Sequence, residues 1–164
     1  MKNVVIYSDG ASKGNPGDAG IGVVISTEDG TVLREIGEYI GQTTNNVAEY
    51  TALIRGLREA ADLGATSVDI STDSELMARQ LSGVYKVKSP NLKPLFEETV
   101  GLLRHFKRVS ISHVMRELNK RADQLANEGV RNHKANSRNE KINSCSEPKP
   151  ATVERRERQG QLDF

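Results

Sequence analysis

Residues 4–17 read VVIYSDGASKGNPG, and this stretch sets the start of the fold. The apolar run at residues 4–7 predicts a short buried strand. Asp9 is expected to end that strand and to begin a glycine-rich loop, in which Asn15-Pro16-Gly17 is a turn signal. The segment therefore predicts a strand that opens directly into a polar turn.

The following residues predict two more strands and a long helix. Two strand-like runs, residues 21–26 and 31–40, flank a hairpin signal. Several N-cap residues come next, and apolar positions at helical spacing predict a helix over residues 47–63. Gly64 is the expected end of this helix.

The remaining patterned residues alternate between strands and helices. Asp73-Ser74 is expected to cap a short helix that follows a strand. In chain order the pattern predicts a strand at 68–72, a helix to about 81, a helix at 92–106, a strand at 109–114 and a helix at 121–130. Hairpin strands followed by crossover units predict an α/β fold with a mixed sheet flanked by helices.

Composition and charge divide the chain near residue 130. Residues 1–130 carry a net charge of −2 and residues 131–164 a net charge of +3, which together give +1. The second segment has few large apolar residues, so we expect a domain at 1–130 and a disordered or loosely attached tail at 131–164. The near-neutral total does not favour a strongly basic nucleic-acid coat protein, because such proteins usually carry a clear excess of positive charge.

Three features of the sequence favour a cytoplasmic protein. No apolar run is long enough to cross a membrane, and the first residues lack a signal-peptide pattern. The single Cys145 has no partner for an internal disulfide, as is usual in a reducing compartment. We therefore expect no membrane contact.

Four acidic residues stand where predicted strands end or predicted helices begin. Each one alone also fits a turn or helix-capping role. If the first and fourth strands are parallel neighbours, however, Asp9 and Asp73 lie together at their carboxyl ends. Carboxylates crowded together repel one another unless a cation lies between them, and oxygen ligands favour Mg²⁺ or Mn²⁺. The candidate ligands are Asp9, Glu49, Asp73 and Asp123.

Four motifs in this order resemble those of type 1 ribonuclease H. They are DGASKGNPG from Asp9, TTNNVAE from Thr43, TDS from Thr72 and ADQLA from Ala122. Each motif alone is weak evidence, but their order and spacing cover the whole patterned region. The resemblance is to a compact form that lacks both a histidine-bearing loop and a preceding hybrid-binding domain.

The resemblance implies a ribonuclease H-like fold, with three antiparallel and then two parallel strands flanked by helices. It implies an endonuclease that hydrolyses the RNA strand of RNA–DNA hybrids and leaves 5′-phosphate and 3′-hydroxyl ends. Two Mg²⁺ ions, with Mn²⁺ as a substitute, would activate the attacking water and stabilise the leaving oxygen. Asp9 and Asp73 would hold both ions, and Glu49 and Asp123 would complete one ion site each.

The same resemblance implies a set of substrate contacts. RNA–DNA hybrids are recognised through their minor groove and the RNA 2′-hydroxyls. Similar family positions place Gly10, Asn15, Asn45 and Asn46 near the RNA, with Glu49 also close to the 2′-hydroxyls. Thr44 and Ser74 would contact the DNA strand, and Lys86 and Lys88 would contact phosphates.

This sequence departs from many relatives after the last strand. The loop that carries a histidine in those relatives is shortened here, and the nearby His113 is expected to have a structural role. Arg116 or Glu117 could substitute electrostatically near the scissile phosphate. Gln42 stands where some relatives carry arginine, and Glu75 stands where glutamine is frequent.

Three alternatives to this function stay open. A nucleotide-binding fold is disfavoured because neither G-x-x-x-x-G-K-[ST] nor G-x-G-x-x-G occurs. A non-catalytic nucleic-acid binder of the same fold and a structure-selective DNA nuclease are the other two. We expect a monomer, and residues 161–164 (QLDF) faintly resemble peptides that dock to sliding clamps.

Overall fold

The fold is a five-stranded mixed sheet with helices on both faces, as the sequence predicts. The computed structural model describes residues 2–146, with side chains described up to residue 140. The sheet order is β3-β2-β1-β4-β5. β1 pairs antiparallel with β2, β2 antiparallel with β3, and the β1–β4 and β4–β5 pairs are parallel. The strands are β1 Lys2–Ser12, β2 Gly17–Ser26, β3 Val32–Thr43, β4 Ala65–Thr72 and β5 Arg108–His113.

Side chains cap the two helices that approach the carboxyl ends of the parallel strands. Thr44 Oγ1 accepts the Val47 N–H at the start of α1, and Ser74 Oγ accepts the Met77 N–H at the start of α2. These bonds satisfy backbone donors that have no partner within the helix. The helices are α1 Asn45–Asp62, α2 Glu75–Leu81, α3 Lys93–Leu103 and α4 Lys120–Ser146, with a 3₁₀ turn at Arg116–Asn119.

The main core lies between the sheet and α1. Apolar side chains of β1, β2 and β4 are fully buried against the inward face of α1, as its helical spacing predicts. Typical members are Ile6, Val23, Leu53, Leu57 and Ile70. This packing fixes α1 against the strands whose ends carry Asp9 and Asp73.

The start of α4 lies directly against the opposite face of the sheet. A Cβ atom at Gly22 of β2 would come within 1.9 Å of the Ala122 carbonyl oxygen. Only glycine allows the helix backbone to approach a strand this closely. Gly22 pairs with Asp9 of β1, so the contact places the first turn of α4, which contains Asp123, close to Asp9.

Three boundaries differ from those the sequence predicts. β1 does not end at Asp9 but continues to Ser12, because its antiparallel pairing with β2 extends beyond its parallel pairing with β4. Glu49 lies in the second turn of α1, because the helix begins at Asn45. α4 runs to Ser146 rather than ending near residue 130, since a helix that has formed can extend without an apolar stripe.

Contacts between residues group the chain into a unit that ends at Arg131 and a second unit from Asn132. Of the predicted tail, residues 131–146 belong to α4, and residues 147–164 lie outside the described part of the chain. Among residues 2–146, no helix is both long and apolar enough to cross a membrane.

Candidate active site

Strand pairing brings Asp9 and Asp73 to the same end of the sheet. Ser8 of β1 pairs in parallel with Thr72 of β4, and this is the last residue pair between the two strands. Asp9 and Asp73 each follow directly after that pair. The predicted neighbourhood of these two acids is therefore confirmed.

Glu49 reaches the same place from α1. Its Oε1 atom accepts a buried 3.1 Å hydrogen bond from the Gly10 N–H. A Cβ atom at Gly10 would lie 2.3 Å from the Ala48 carbonyl carbon and 2.4 Å from the Glu49 nitrogen. The absent side chain at Gly10 thus allows α1 to lie against β1 and to present Glu49 beside Asp9.

The three carboxylates form a compact group of oxygen atoms, which we call the inner group: Asp9, Glu49 and Asp73. One oxygen from each lies within 4.8 Å of the other two. Asp9 is 4% exposed and Glu49 is 6% exposed. This geometry can hold a cation between the three side chains.

Burial and repulsion between carboxylates disfavour the ionised forms of Asp9 and Glu49. Burial, followed by the charges of Glu49 and Asp73 and a hydrogen bond with Asp123, raises the pKa of Asp9 to about 9. Burial and the charge of Asp73 raise the pKa of Glu49 to about 8, although the Gly10 N–H and the Arg116 charge act in the opposite direction.

A hard divalent cation fits this donor set. It would restore the ionised carboxylates by neutralising their repulsion, and the described residues around it offer oxygen donors rather than thiolates. Mg²⁺ and Mn²⁺ both favour such donors. The acidic group therefore supports the predicted metal binding, while the identity of the ion stays a prediction.

Asp123 lies beside the inner group and has a different environment. It is in the first turn of α4, its side chain is 32% exposed, and Arg116 Nη2 is 3.8 Å from its Oδ1 atom. Asn127, one turn later, donates from Nδ2 to the Asp123 carbonyl oxygen at 2.8 Å and to Oδ1 at 3.3 Å. Lys13 Nζ in turn donates to Asn127 Oδ1.

All four acids line one open cleft of about 660 Å³. Of the predicted substrate contacts, Gly10, Asn45 and Ser74 also line it. Asn15 Oδ1 accepts the Asn45 N–H at 3.0 Å, which ties the glycine-rich turn to the start of α1. Thr44 caps α1, and Asn46 is exposed in its first turn.

Other predicted residues lie away from the acids. Lys86 lines a separate groove of about 400 Å³ with Tyr85, and Lys88 is exposed on the same loop between α2 and α3. Arg116 lines the acidic cleft, whereas Glu117 is exposed in the 3₁₀ turn. His113 is the last residue of β5, as the strand pattern predicts, but its side chain is exposed and lines the acidic cleft.

The two departures from the family pattern have local partners. The Gln42 amide donates to Asp18 at 3.4 Å on the neighbouring strand. Glu75 forms a 2.8 Å ion pair with Arg79 one turn later in α2, and it lines the acidic cleft.

Comparison with known proteins agrees with this arrangement of acids. Residues 7–129 match a family model described as reverse transcriptase-like. A ribonuclease H of Marinobacter nauticus is 38% identical over 145 residues, which cover 78% of this chain and 94% of that protein. The chain belongs to the ribonuclease H family.

Other relatives share the domain within longer proteins. A bifunctional protein of Mycobacterium tuberculosis is 48% identical over 128 residues, or 77% of this chain. Ribonuclease HI of Halobacterium salinarum is 45% identical over 124 residues, or 76% of this chain. The chain spans 35% of the mycobacterial protein and 62% of the halobacterial one.

Solved ribonuclease H structures have the same fold. The crystal structure of ribonuclease H1 from Halobacterium salinarum has a TM-score of 0.78 and 44% identity, covering 79% of this chain and 98% of that one. LC11-ribonuclease H1, solved in complex with an RNA/DNA hybrid, has a TM-score of 0.76 and 46% identity. Its match covers 79% of this chain and 98% of that chain.

Lys13 and Asn127 also line this ribonuclease H cleft, and sequence reasoning gave neither of them a role. Asn127 stands four residues after Asp123, and this spacing places the two side chains on one face of a helix. That signal was present in the sequence. The approach of Lys13 from the turn after β1 depends on how α4 packs on the sheet, which spacing alone does not give.

Proposed function

We propose that this chain is a ribonuclease H: an endonuclease that hydrolyses the RNA strand of RNA–DNA hybrids and leaves 5′-phosphate and 3′-hydroxyl ends. The observation that carries the proposal is the inner group, whose three carboxylate oxygens lie within 4.8 Å of one another in an open cleft. The family relationship and the hybrid bound by LC11-ribonuclease H1 favour this substrate.

The four acids would hold two divalent cations, with Asp9 and Asp73 shared between the two ion sites. Glu49 and Asp123 would each complete one site. Such ions, when bound, supply positive charge at the attacking and leaving oxygens of a phosphoryl displacement. Mg²⁺ is the expected ion, with Mn²⁺ as a substitute.

The residues around the acids orient them before substrate binds. The Gly10 N–H holds one oxygen of Glu49, and burial keeps bulk water away from Asp9. Arg116 supplies a positive charge beside Asp123, close to where a scissile phosphate would lie. Glu117, which is exposed in the same turn, would act there only through its charge.

Hybrid recognition is assigned to the polar residues at the rim of the cleft. Gly10 and Asn45, with Asn15 and Asn46 beside them, would read the RNA 2′-hydroxyls. Ser74 and Thr44 would contact the DNA strand. Lys86 and Lys88, on the loop after α2, would contact phosphates outside the acidic cleft.

A cleavage assay on four labelled substrates tests the proposal. They are an RNA–DNA hybrid, double-stranded RNA, a DNA duplex, and a DNA duplex with one embedded ribonucleotide, each with Mg²⁺, with Mn²⁺ or with EDTA. We expect metal-dependent cutting of the RNA strand of the hybrid, with 3′ ends that a polymerase extends. Asp62→Asn, which changes an exposed carboxylate at the end of α1, should match the wild type.

Two outcomes would contradict the proposal. Hybrid binding without cleavage would identify a non-catalytic binder, and preferential cutting of the DNA duplex would identify a DNA nuclease. A monomeric state and a cytoplasmic location stay predictions. The proposed clamp contact of residues 161–164 lies outside the described residues.

A further inference from the structure

Asp123 differs from the other three acids in how it is held. Strand ends and a main-chain N–H position the inner group, whereas Asp123 projects from the first turn of α4 with a partly exposed side chain. A partly exposed aspartate at a helix start has several accessible rotamers. Contacts with other side chains must therefore hold Asp123 in the rotamer in which its carboxylate faces the inner group.

Asp123 also contacts Asp9 and Arg116, but Asn127 makes contacts to both its carboxylate and its main chain that can do this. Its Nδ2 group donates both to the Asp123 carbonyl oxygen and to the Asp123 carboxylate, at 2.8 and 3.3 Å. The first bond anchors the amide to the helix backbone. The second uses that anchored amide to hold one carboxylate oxygen.

Lys13 determines which way the Asn127 amide points. A lysine ammonium has three donors and no acceptor, so only the amide oxygen of Asn127 can face it. Lys13 Nζ does donate to Asn127 Oδ1. The amide nitrogen is thereby directed towards Asp123, and the alternative flipped amide would place two donor groups against each other.

We propose that Asn127 is a positioning residue that fixes the Asp123 carboxylate for cation binding, and that Lys13 orients the Asn127 amide. The inference rests on the proposed function, because it concerns the cation that Asp123 would help to hold. It adds two residues, from the turn after β1 and from the second turn of α4, to the machinery that the four acids form. Residues that orient metal ligands typically change metal affinity or activity 10- to 100-fold when removed.

Calorimetric titration of the purified full chain with Mg²⁺ tests this role without requiring catalysis. We expect Asn127→Ala to weaken Mg²⁺ binding about tenfold. Asn127→Leu keeps a side chain of similar size, lacks the donor and adds no charge, so its loss should equal that of Asn127→Ala. Asn136→Ala removes an exposed asparagine further along α4 and should bind Mg²⁺ as the wild type does.

A double-mutant cycle separates positioning from a general structural effect. If Asn127 acts through Asp123, then Asn127→Ala should change Mg²⁺ affinity less than twofold when Asp123→Asn is already present. In kinetic assays on the hybrid, Asn127→Ala should lower kcat and leave KM unchanged. Lys13→Met should show a smaller loss in the same direction.

Two results would overturn the assignment. One is Mg²⁺ binding by Asn127→Ala and Asn127→Leu that equals that of the wild type. The other is an equal loss from Asn127→Ala in the wild-type and Asp123→Asn backgrounds. If the wild-type chain bound Mg²⁺ but cleaved no hybrid, the proposed function would fail while the calorimetric cycle still decided the role of Asn127.

Discussion

Asp9 and Asp123 belong to the same cleft, but different parts of the structure hold them. Asp9 lies within a strand, almost fully buried, and Glu49 beside it is held by the Gly10 main chain. Asp123 is one-third exposed, and besides its hydrogen bond with Asp9 it contacts Arg116 of the 3₁₀ turn and Asn127 of α4, which Lys13 contacts in turn. We call Asp123 with Arg116 and Asn127 the outer group.

The difference shows what each half of the cleft contributes. In the inner group, burial and mutual repulsion raise the pKa values of Asp9 and Glu49, so these two carboxyls ionise unfavourably without a cation. The outer group is held by polar contacts that solvent and salt can weaken. Substitutions in the inner group should therefore have larger effects than substitutions in the outer group.

Among substitutions that leave all four acids in place, the largest effect is expected from Gly10→Ala, which would disrupt the inner group. The new methyl group would lie 2.3 to 2.4 Å from main-chain atoms of Ala48 and Glu49, so α1 would have to move. Overpacking of this kind costs roughly 1–3 kcal/mol of stability. A displacement of Glu49 by about 1 Å could reduce the cleavage rate 100-fold.

Gly101→Ala is the matched control for this substitution. A Cβ atom at Gly101, within α3, would have no other atom within 4 Å. Alanine is more favourable than glycine in the interior of a helix. The free energy of unfolding of this variant should therefore equal that of the wild type or exceed it by roughly 0.5–1 kcal/mol. Equal melting temperatures and cleavage rates for Gly10→Ala and the wild type would refute the close approach of α1 to β1.

A moderate effect is expected in the pH dependence of stability without metal. The unfolded chain ionises Asp9 and Glu49 near their ordinary values of 3.8 and 4.5, whereas the folded chain retains these protons to about pH 9 and pH 8. Unfolding then releases protons, so the free energy of unfolding should fall as the pH rises from about 4 towards 8. Thermal melts in EDTA at pH 5 and pH 8 measure this slope.

Asp9→Asn should flatten that slope and melt at a higher temperature than the wild type at pH 8 in EDTA. The melting temperature should rise by roughly 2–8 °C for each kcal/mol by which the substitution reduces the repulsion between the carboxylates. Excess Mg²⁺ should raise the melting temperature of the wild type more than that of Asp9→Asn. If the melting temperatures of the two proteins changed with pH in the same way, the carboxylates would not repel one another in the folded protein.

The smallest effect is expected from Arg116→Ala in the outer group. The Arg116 side chain is 79% exposed and 3.8 Å from Asp123, and exposed ion pairs contribute little. We expect a two- to fivefold lower cleavage rate, with the difference shrinking as salt is added. Arg58→Ala, which removes an exposed arginine paired with Glu98, is the control. An unchanged rate would remove Arg116 from the catalytic machinery.

The sequence was sufficient for the order of elements and for the meeting of Asp9 and Asp73, whereas Glu49 was placed beside them only by the resemblance to the family. Alternating strand and helix patterns indicated the mixed sheet, and the ends of two parallel strands indicated that Asp9 and Asp73 meet. These features follow from local periodicity and from one topological assumption. That assumption, the parallel pairing of β1 with β4, is confirmed.

The sequence was insufficient where contacts depend on packing between distant segments. The continuation of β1 past Asp9 follows from pairing with β2, and the contact of Lys13 with Asn127 joins residues 114 positions apart. Gly10 was assigned to substrate binding, whereas the structure also gives it a packing role against α1. Such roles depend on how close two backbones come, which residue spacing does not encode.

The most direct test of the central claim is a single-turnover cleavage assay of an RNA–DNA hybrid in Mg²⁺ that compares Asp9→Asn with Asp62→Asn. We expect Asp9→Asn to keep the circular dichroism spectrum of the wild type and to lose detectable cleavage of the RNA strand, while Asp62→Asn cleaves at the wild-type rate. A folded Asp9→Asn protein that cleaves the hybrid at the wild-type rate would contradict the assignment of the inner group as the catalytic site.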